Sequence, residues 1–258
     1  MSVDVLRKDL RERTVAVLVL GLAVGVLSLF ALGVYAGMSG TLDELTKRFP
    51  PELMAFIGGD APGGYVVGEV FNLIAPLALV TYAVMTGASA IAGEEERKTM
   101  GVLLGVPLRR RDLLLSKAVG LSVGLAVATG LFLVATVVAS TAFDVGLRTA
   151  DVAATGAHLG LLALLFGVLA LAVGAATGRP ALAAGVTGLL AVTSYLADSM
   201  LPLVGLERWA ELSPWYYYAG SNPLSNGFDL PNAVVLAALT VLALTAAVLA
   251  FDRRDLRG

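Results

Sequence analysis

Three polar side chains interrupt long apolar runs: Asn72, His158 and Asp198. An imidazole or a carboxylate inside an apolar span is costly enough that substrate or ion handling is the sharper reading of it. His158 is the single histidine in the chain, and both it and Asp198 fall near the ends of their runs, where the cost is lower. A structural or interfacial role is therefore the simpler reading of both, and the two could lie close together. Asn72 suits a helix–helix hydrogen bond, with a substrate contact as the alternative. A second concentration of chemistry is the segment from Gly93 to Lys117, GEEERKTMGVLLGVPLRRRDLLLSK. It sets an acid-then-base cluster, Glu94 to Lys98, before an apolar run, Met100 to Val106, and then Pro107-Leu108 and Arg109-Arg110-Arg111-Asp112. That is too charged to cross a bilayer and too apolar in its middle for a free linker. It reads as a short amphipathic element held against something.

Other chemistry is missing. There are no cysteines, which removes disulfides and thiolate sites, and one histidine makes a zinc or haem centre a poor fit. No G-x-x-x-x-G-K-[ST] phosphate loop, G-x-S-x-G or H-E-x-x-H motif occurs, so the chain is not expected to be an enzyme or to hydrolyse nucleotides itself.

The elements that must position these residues are membrane helices. The chain is 57% hydrophobic and 15% charged, and its mean hydropathy of +0.84 lies beyond the globular range. A hydrocarbon core of about 30 Å needs roughly 20 helical residues. Continuous apolar runs predict an all-α integral membrane protein, one domain over residues 1–258, with six spans near residues 14–36, 70–92, 118–142, 152–177, 181–204 and 230–251. Strands of a barrel would alternate apolar and polar residues instead. Fourteen of the eighteen Lys and Arg residues fall in the N-terminus, the second and fourth loops and the tail, against four in the alternate loops. The richer side is expected to be cytoplasmic, with both termini inside. The first run is longer than a signal-peptide core and lacks a small-x-small exit, so it is expected to remain as an anchor.

Val3, Leu6 and Leu10 stand at helical spacing among charges, which predicts a short interfacial helix ahead of the first span. Pro50-Pro51 and a Gly-rich turn break the first outer loop, where one or two short helices are expected. Pro76 is placed to kink the second span. Trp209, Trp215 and Tyr216-Tyr217-Tyr218 precede the sixth span and read as a re-entrant or surface-lying helical pair, or as a plain aromatic belt. Glycines four apart, such as Gly21/Gly25, Gly33/Gly37, Gly156/Gly160 and Gly174/Gly178, point to a tightly packed bundle.

The segment also carries a resemblance. Glu94-Glu95-Glu96-Arg97-Lys98-Thr99-Met100, Leu103-Leu104, Pro107-Leu108-Arg109-Arg110, Leu114 and Lys117 resemble the E-x-x-x-G-T-x-E-x-L-L-x-x-P-[IVL]-S-R-x-x-[IL]-x-x-x-K signature of ABC-2 type transporter permeases. Ser213-Pro214-Trp215-Tyr216-Tyr217-Tyr218 is similar to the stretch before the last span in that family. Two departures stand out: Lys98 replaces Gly before Thr99, and Leu108-Arg109 replaces the usual apolar-Ser-Arg. The resemblance implies the transmembrane subunit of an ATP-driven exporter in a prokaryotic plasma membrane. It implies a short coupling helix between spans two and three and short extracytoplasmic helices before span six. Its partners would be a separate ATP-binding subunit, which binds the ATP and Mg, membrane lipid, and a second permease in a homodimer or heterodimer, with no nucleic acid. Glu94, Glu95, Glu96, Arg97, Met100, Leu103, Leu104, Pro107, Arg109 and Arg110 would meet the ATPase, with residues 176–180 as a smaller second contact. An ion-coupled transporter or channel is the alternative, supported by Pro76 and Asp198 alone, and a membrane assembly or maturation subunit is another.

Overall fold

Stretches of Ala, Leu and Val fold as helices in an apolar medium because a helix satisfies its own backbone donors and acceptors. The computed structural model describes residues 3–46, 64–98 and 109–254, and among these the chain is helical with no strand. Six helices are long and apolar enough to cross a membrane. Helix α1 is Val3–Thr46. Helix α2 starts over Gly64–Glu69, widens to a π-helix over Val70–Ile74 and continues over Ala75–Glu96. Helices α3, α4 and α5 are Arg110–Ala142, Thr149–Thr177 and Pro180–Met200. A 3-10 turn, Pro202–Val204, leads to short helices α6, Glu207–Ala210, α7, Tyr216–Ala219, and α8, Pro223–Asn226. Helix α9, Leu230–Arg253, is the last span.

Several boundaries differ from expectation: α1 runs on to Thr46 rather than ending near residue 36, and the fifth span ends at Met200 and passes into a 3-10 turn rather than running to residue 204. The N-terminal turns are helical, but they are the leading turns of α1 rather than a separate interfacial helix. No Pro or Gly stands between Val3 and Leu20 to break the helix, and Asp9 packs against α3. The third span likewise begins at Arg110 rather than near residue 118, so Arg110 to Lys117 are its first turns. The expected coupling helix and most of the first outer loop lie outside the described residues.

Helix α4 is the axis of the bundle: 61% of its most apolar window is buried, against 22% for peripheral α5. It packs on α2, α3, α5 and α9, while α1 lies along α3. Between membrane helices, van der Waals packing rather than water exclusion supplies the attraction, so close approach matters. Helices α2 and α4 approach closely at Gly87, Gly167 and Gly174, where a Cβ on Gly87 would overlap the Gly167 carbonyl oxygen and one on Gly174 would stand 2.9 Å from the Ala88 carbonyl oxygen. Gly21 and Gly25 likewise face Leu131 and Ala135 of α3, so that pair is used within the chain.

Candidate functional site

The first turns of α1 and the end of α9 lie at one end of the bundle, and a charged clasp is built there. Asp9 of α1, Glu94 of α2 and Lys117 of α3 are 2%, 4% and 5% exposed. Lys117 Nζ donates to Asp9 Oδ1 at 2.9 Å and to Glu94 Oε1 at 3.1 Å. Gly120, one turn along α3, makes the room, since a Cβ there would overlap the Asp9 carboxylate. Arg13 Nε lies 3.0 Å from Asp9 Oδ2 without hydrogen-bonding alignment, and Arg97 Nη2 lies 3.7 Å from Glu94 Oε1. Taking such charges out of water costs several kcal/mol per ion in order of magnitude, which close pairing has to offset.

The next residue builds a second contact. Glu95 pairs with Arg254, just past the end of α9. Arg254 Nη1 donates to the Ala175 carbonyl at 2.9 Å, near the C-terminus of α4, where the helix leaves carbonyls free. Its own carbonyl accepts from Arg110 Nη1 at 2.6 Å. Gly178 ends α4 in the left-handed region, φ +65°, and lies against this pair, so a side chain there would run into the Arg254 guanidinium. Residues of the short loop before α5 thus abut the same site.

At the opposite end of the bundle the contacts between helices run to backbone carbonyls, and the ion pair there, Arg148 with buried Asp151 at 3.7 Å, sits at the start of α4. Pro76 has no N–H, and in the π-turn the bond it would make runs to the carbonyl five residues back, as the Ala75 N–H bond to Val70 does. That leaves the Phe71 carbonyl without a backbone donor, and the buried Tyr218 hydroxyl donates to it at 2.5 Å. Burial pushes the Tyr218 phenol up from its ordinary value, so it stays an O–H donor. Ser213 Oγ donates to the Ser194 carbonyl of α5 at 2.8 Å, and Trp215 stacks near Phe166 and Tyr195. The short helices are thereby fixed to α2, α4 and α5.

The residues singled out by sequence separate into groups. Glu94 and Glu95 turn into the bundle, whereas Glu96, Arg97 and Arg109 are exposed and Arg110 is half-buried. Met100, Leu103, Leu104 and Pro107 lie outside the described residues. Asn72 is exposed on the π-turn, not buried between helices as a packing hydrogen bond would require. His158 is buried, with Nδ1 2.9 Å from the Ala154 carbonyl, Nε2 3.0 Å from the Asp229 carbonyl and the Phe228 ring tilted against it, centroids 4.9 Å apart. Asp198 is half-buried and is not a partner of that ring. No cluster of metal-ligating side chains occurs among the described residues.

Sequence patterning does not single out Asp9, Tyr218 or Arg254 as site residues, Gly178 enters it only within the loop 176–180, and Lys117 only as part of the family-like pattern. One signal pointed to Lys117: a cation at the start of an apolar run needs a counter-charge.

Lys98 supplies a further link. It occupies the left-handed region at φ 57°, two residues beyond the last residue of α2, where the resembling pattern has glycine. A glycine there would end the helix without strain. A search of the curated proteins gives no match. Among protein families, the model described as ABC-2 family transporter protein matches residues 4–256, almost the whole chain. With six spans, the charged segment between the second and third, and this match, the chain belongs to the ABC-2 transporter family.

Proposed function

We propose that this chain is the permease subunit of an ATP-driven exporter and that the segment between α2 and α3 is where a separate ATP-binding subunit docks. The observation that carries the reading is the family match over residues 4–256. The geometry at both flanks of the segment supports it. Glu96, Arg97, Lys98, Arg109 and Arg111 are exposed around residues 99–108 and offer charge of both signs for register with a partner. The apolar residues Met100, Leu103, Leu104 and Pro107 supply the hydrophobic contact, while Glu94 and Glu95 serve from within the bundle. The short loop ending in Gly178 and Arg179 adds a smaller contact.

In this reading the end carrying both termini is cytoplasmic, the membrane is a prokaryotic plasma membrane, and ATP and Mg are held by the partner. Two copies, or two related permeases, complete the transporter. ATP-driven closure of the partner pushes the segment as a body and repacks the helices. An ion-coupled mechanism gains little support, because the His158 ring lies against backbone carbonyls and the tilted Phe228 ring rather than beside Asp198.

Recovery of the tagged chain from its native membrane under mild conditions tests the reading. An ATP-binding chain carrying a phosphate loop should co-purify, and Leu103→Glu or Leu104→Glu should abolish its recovery while membrane insertion persists. Failure of any ATP-binding chain to co-purify, even after crosslinking, refutes it.

A further inference from the structure

We propose that Lys117 and Arg254 are positioning residues that fasten both flanks of the α2–α3 segment into one rigid register with the bundle. The proposal rests on that segment being the docking element, but its geometry is internal to the chain.

Glu94 and Glu95 are successive residues of a helix, so their side chains leave it about 100° apart. One cation cannot serve both. Lys117 takes Glu94 and draws in Asp9 of α1. Arg254 takes Glu95 from the opposite side, reaches the α4 carbonyl of Ala175, and receives Arg110 of α3 on its own carbonyl. The two flanks of residues 99–108 are therefore tied to each other twice, once through Lys117 and once through Arg254 with Arg110. The same two cations tie them to α1, α4 and α9. Among the described residues, α5 is the one spanning helix that contributes no group to the clasp.

Such pairs are weak sources of net stability compared with apolar packing, and their best-attested role is to fix register. A carboxylate that leaves its cation in a dry site bears an unpaired charge, so Glu94 and Glu95 cannot slide without a large penalty. Displacement of the segment is then delivered to α1, α2, α3, α4 and α9 together.

Hydrogen exchange of the full chain in lipid nanodiscs tests this without the partner. Lys117→Met alone leaves two facing carboxylates and can fail to fold. The triple variant Asp9→Asn/Glu94→Gln/Lys117→Met removes the charges together, and Glu95→Gln/Arg254→Met does so for the second pair. Each should raise amide exchange at residues 94–98 and 109–117 at least tenfold. Residues 149–160, at the far end of α4, should keep wild-type protection, whereas a general loss of stability would raise exchange there too. Lys117→Arg, which can still bridge both carboxylates, should retain protection at the flanks. Unchanged exchange at the flanks in both neutralised variants, or a rise spread evenly over the chain, overturns the proposal and leaves the permease reading standing. Failure of the co-purification would instead remove the reading and leave the clasp.

Discussion

At the end that carries the first turns of α1 and the end of α9, helices are joined by ions: Asp9, Glu94 and Lys117, then Glu95 and Arg254. At the other end they are joined by side chains resting on backbone carbonyls: Tyr218 on Phe71, Ser213 on Ser194 and His158 on Asp229. A hydroxyl on a carbonyl fixes one helix against one atom of another and needs no counter-charge. A shared ammonium holds several carboxylates and penalises their separation strongly. Helix α2 has both kinds of contact, the π-turn at one end and the paired glutamates at the other, roughly 35 Å apart at 1.5 Å per residue. The contrast suits a molecule fixed where its short helices cap the bundle and stiffly geared at the end where docking of the ATP-binding subunit is proposed.

Substitutions can break this contrast in graded steps. Lys117→Met should be the most damaging single change, costing about 3–5 kcal/mol because it removes the buried cation shared by two carboxylates. Chemical or detergent-induced unfolding would measure it, and a loss below 1 kcal/mol would mean the clasp is solvated. Tyr218→Phe should cost about 1–3 kcal/mol by orphaning the Phe71 carbonyl. The sharper version is a double-mutant cycle with Pro76→Ala. The new N–H at residue 76 can reach the Phe71 carbonyl, so the Tyr218→Phe penalty should shrink in that background. An unchanged penalty would break the link between the proline and the tyrosine.

Between the two ends, Ser28 and Thr136 are linked at 2.8 Å in the buried middle of the α1–α3 contact. Ser28→Ala should cost only about 0.6 kcal/mol, the usual worth of such bonds between membrane helices. Lys98→Gly should act in the other direction. Relief of the left-handed strain, offset by the greater freedom of glycine in the unfolded chain, should stabilise the protein by about 1 kcal/mol or less.

Much of this architecture was legible in the sequence, and the illegible part has a common cause. Apolar runs of sufficient length located all six spans, because a bilayer imposes one dimension on every helix. Pro76 announced a disturbance in α2, and the structure makes it a π-turn. Contacts across long sequence separations were hidden: Lys117 and Asp9 are 108 residues apart, and Arg254 and Glu95 are 159 apart. Helical periodicity could mark Asp9 as one charge among several but could not say that it faces inward. The aromatic cluster showed a similar limit. Trp209 is 61% exposed, as a belt residue would be, whereas Trp215 and Tyr218 are buried and belong to the packing. Glu94 and Glu95 stand in the sequence among charges expected to meet a partner, and the structure shows their carboxylates paired within the bundle with Lys117 and Arg254.

The comparison between the two ends rests on which of them meets the ATP-binding subunit. Photocrosslinking in native membranes tests that most directly, with a photoreactive amino acid placed at exposed Arg97 or Arg111 and, separately, at exposed Leu206 or Trp209. The account predicts an adduct with a chain that binds nucleotide from the first pair of sites and none from the second. Absence of such an adduct at Arg97 and Arg111, or its appearance at Leu206 or Trp209, would contradict it.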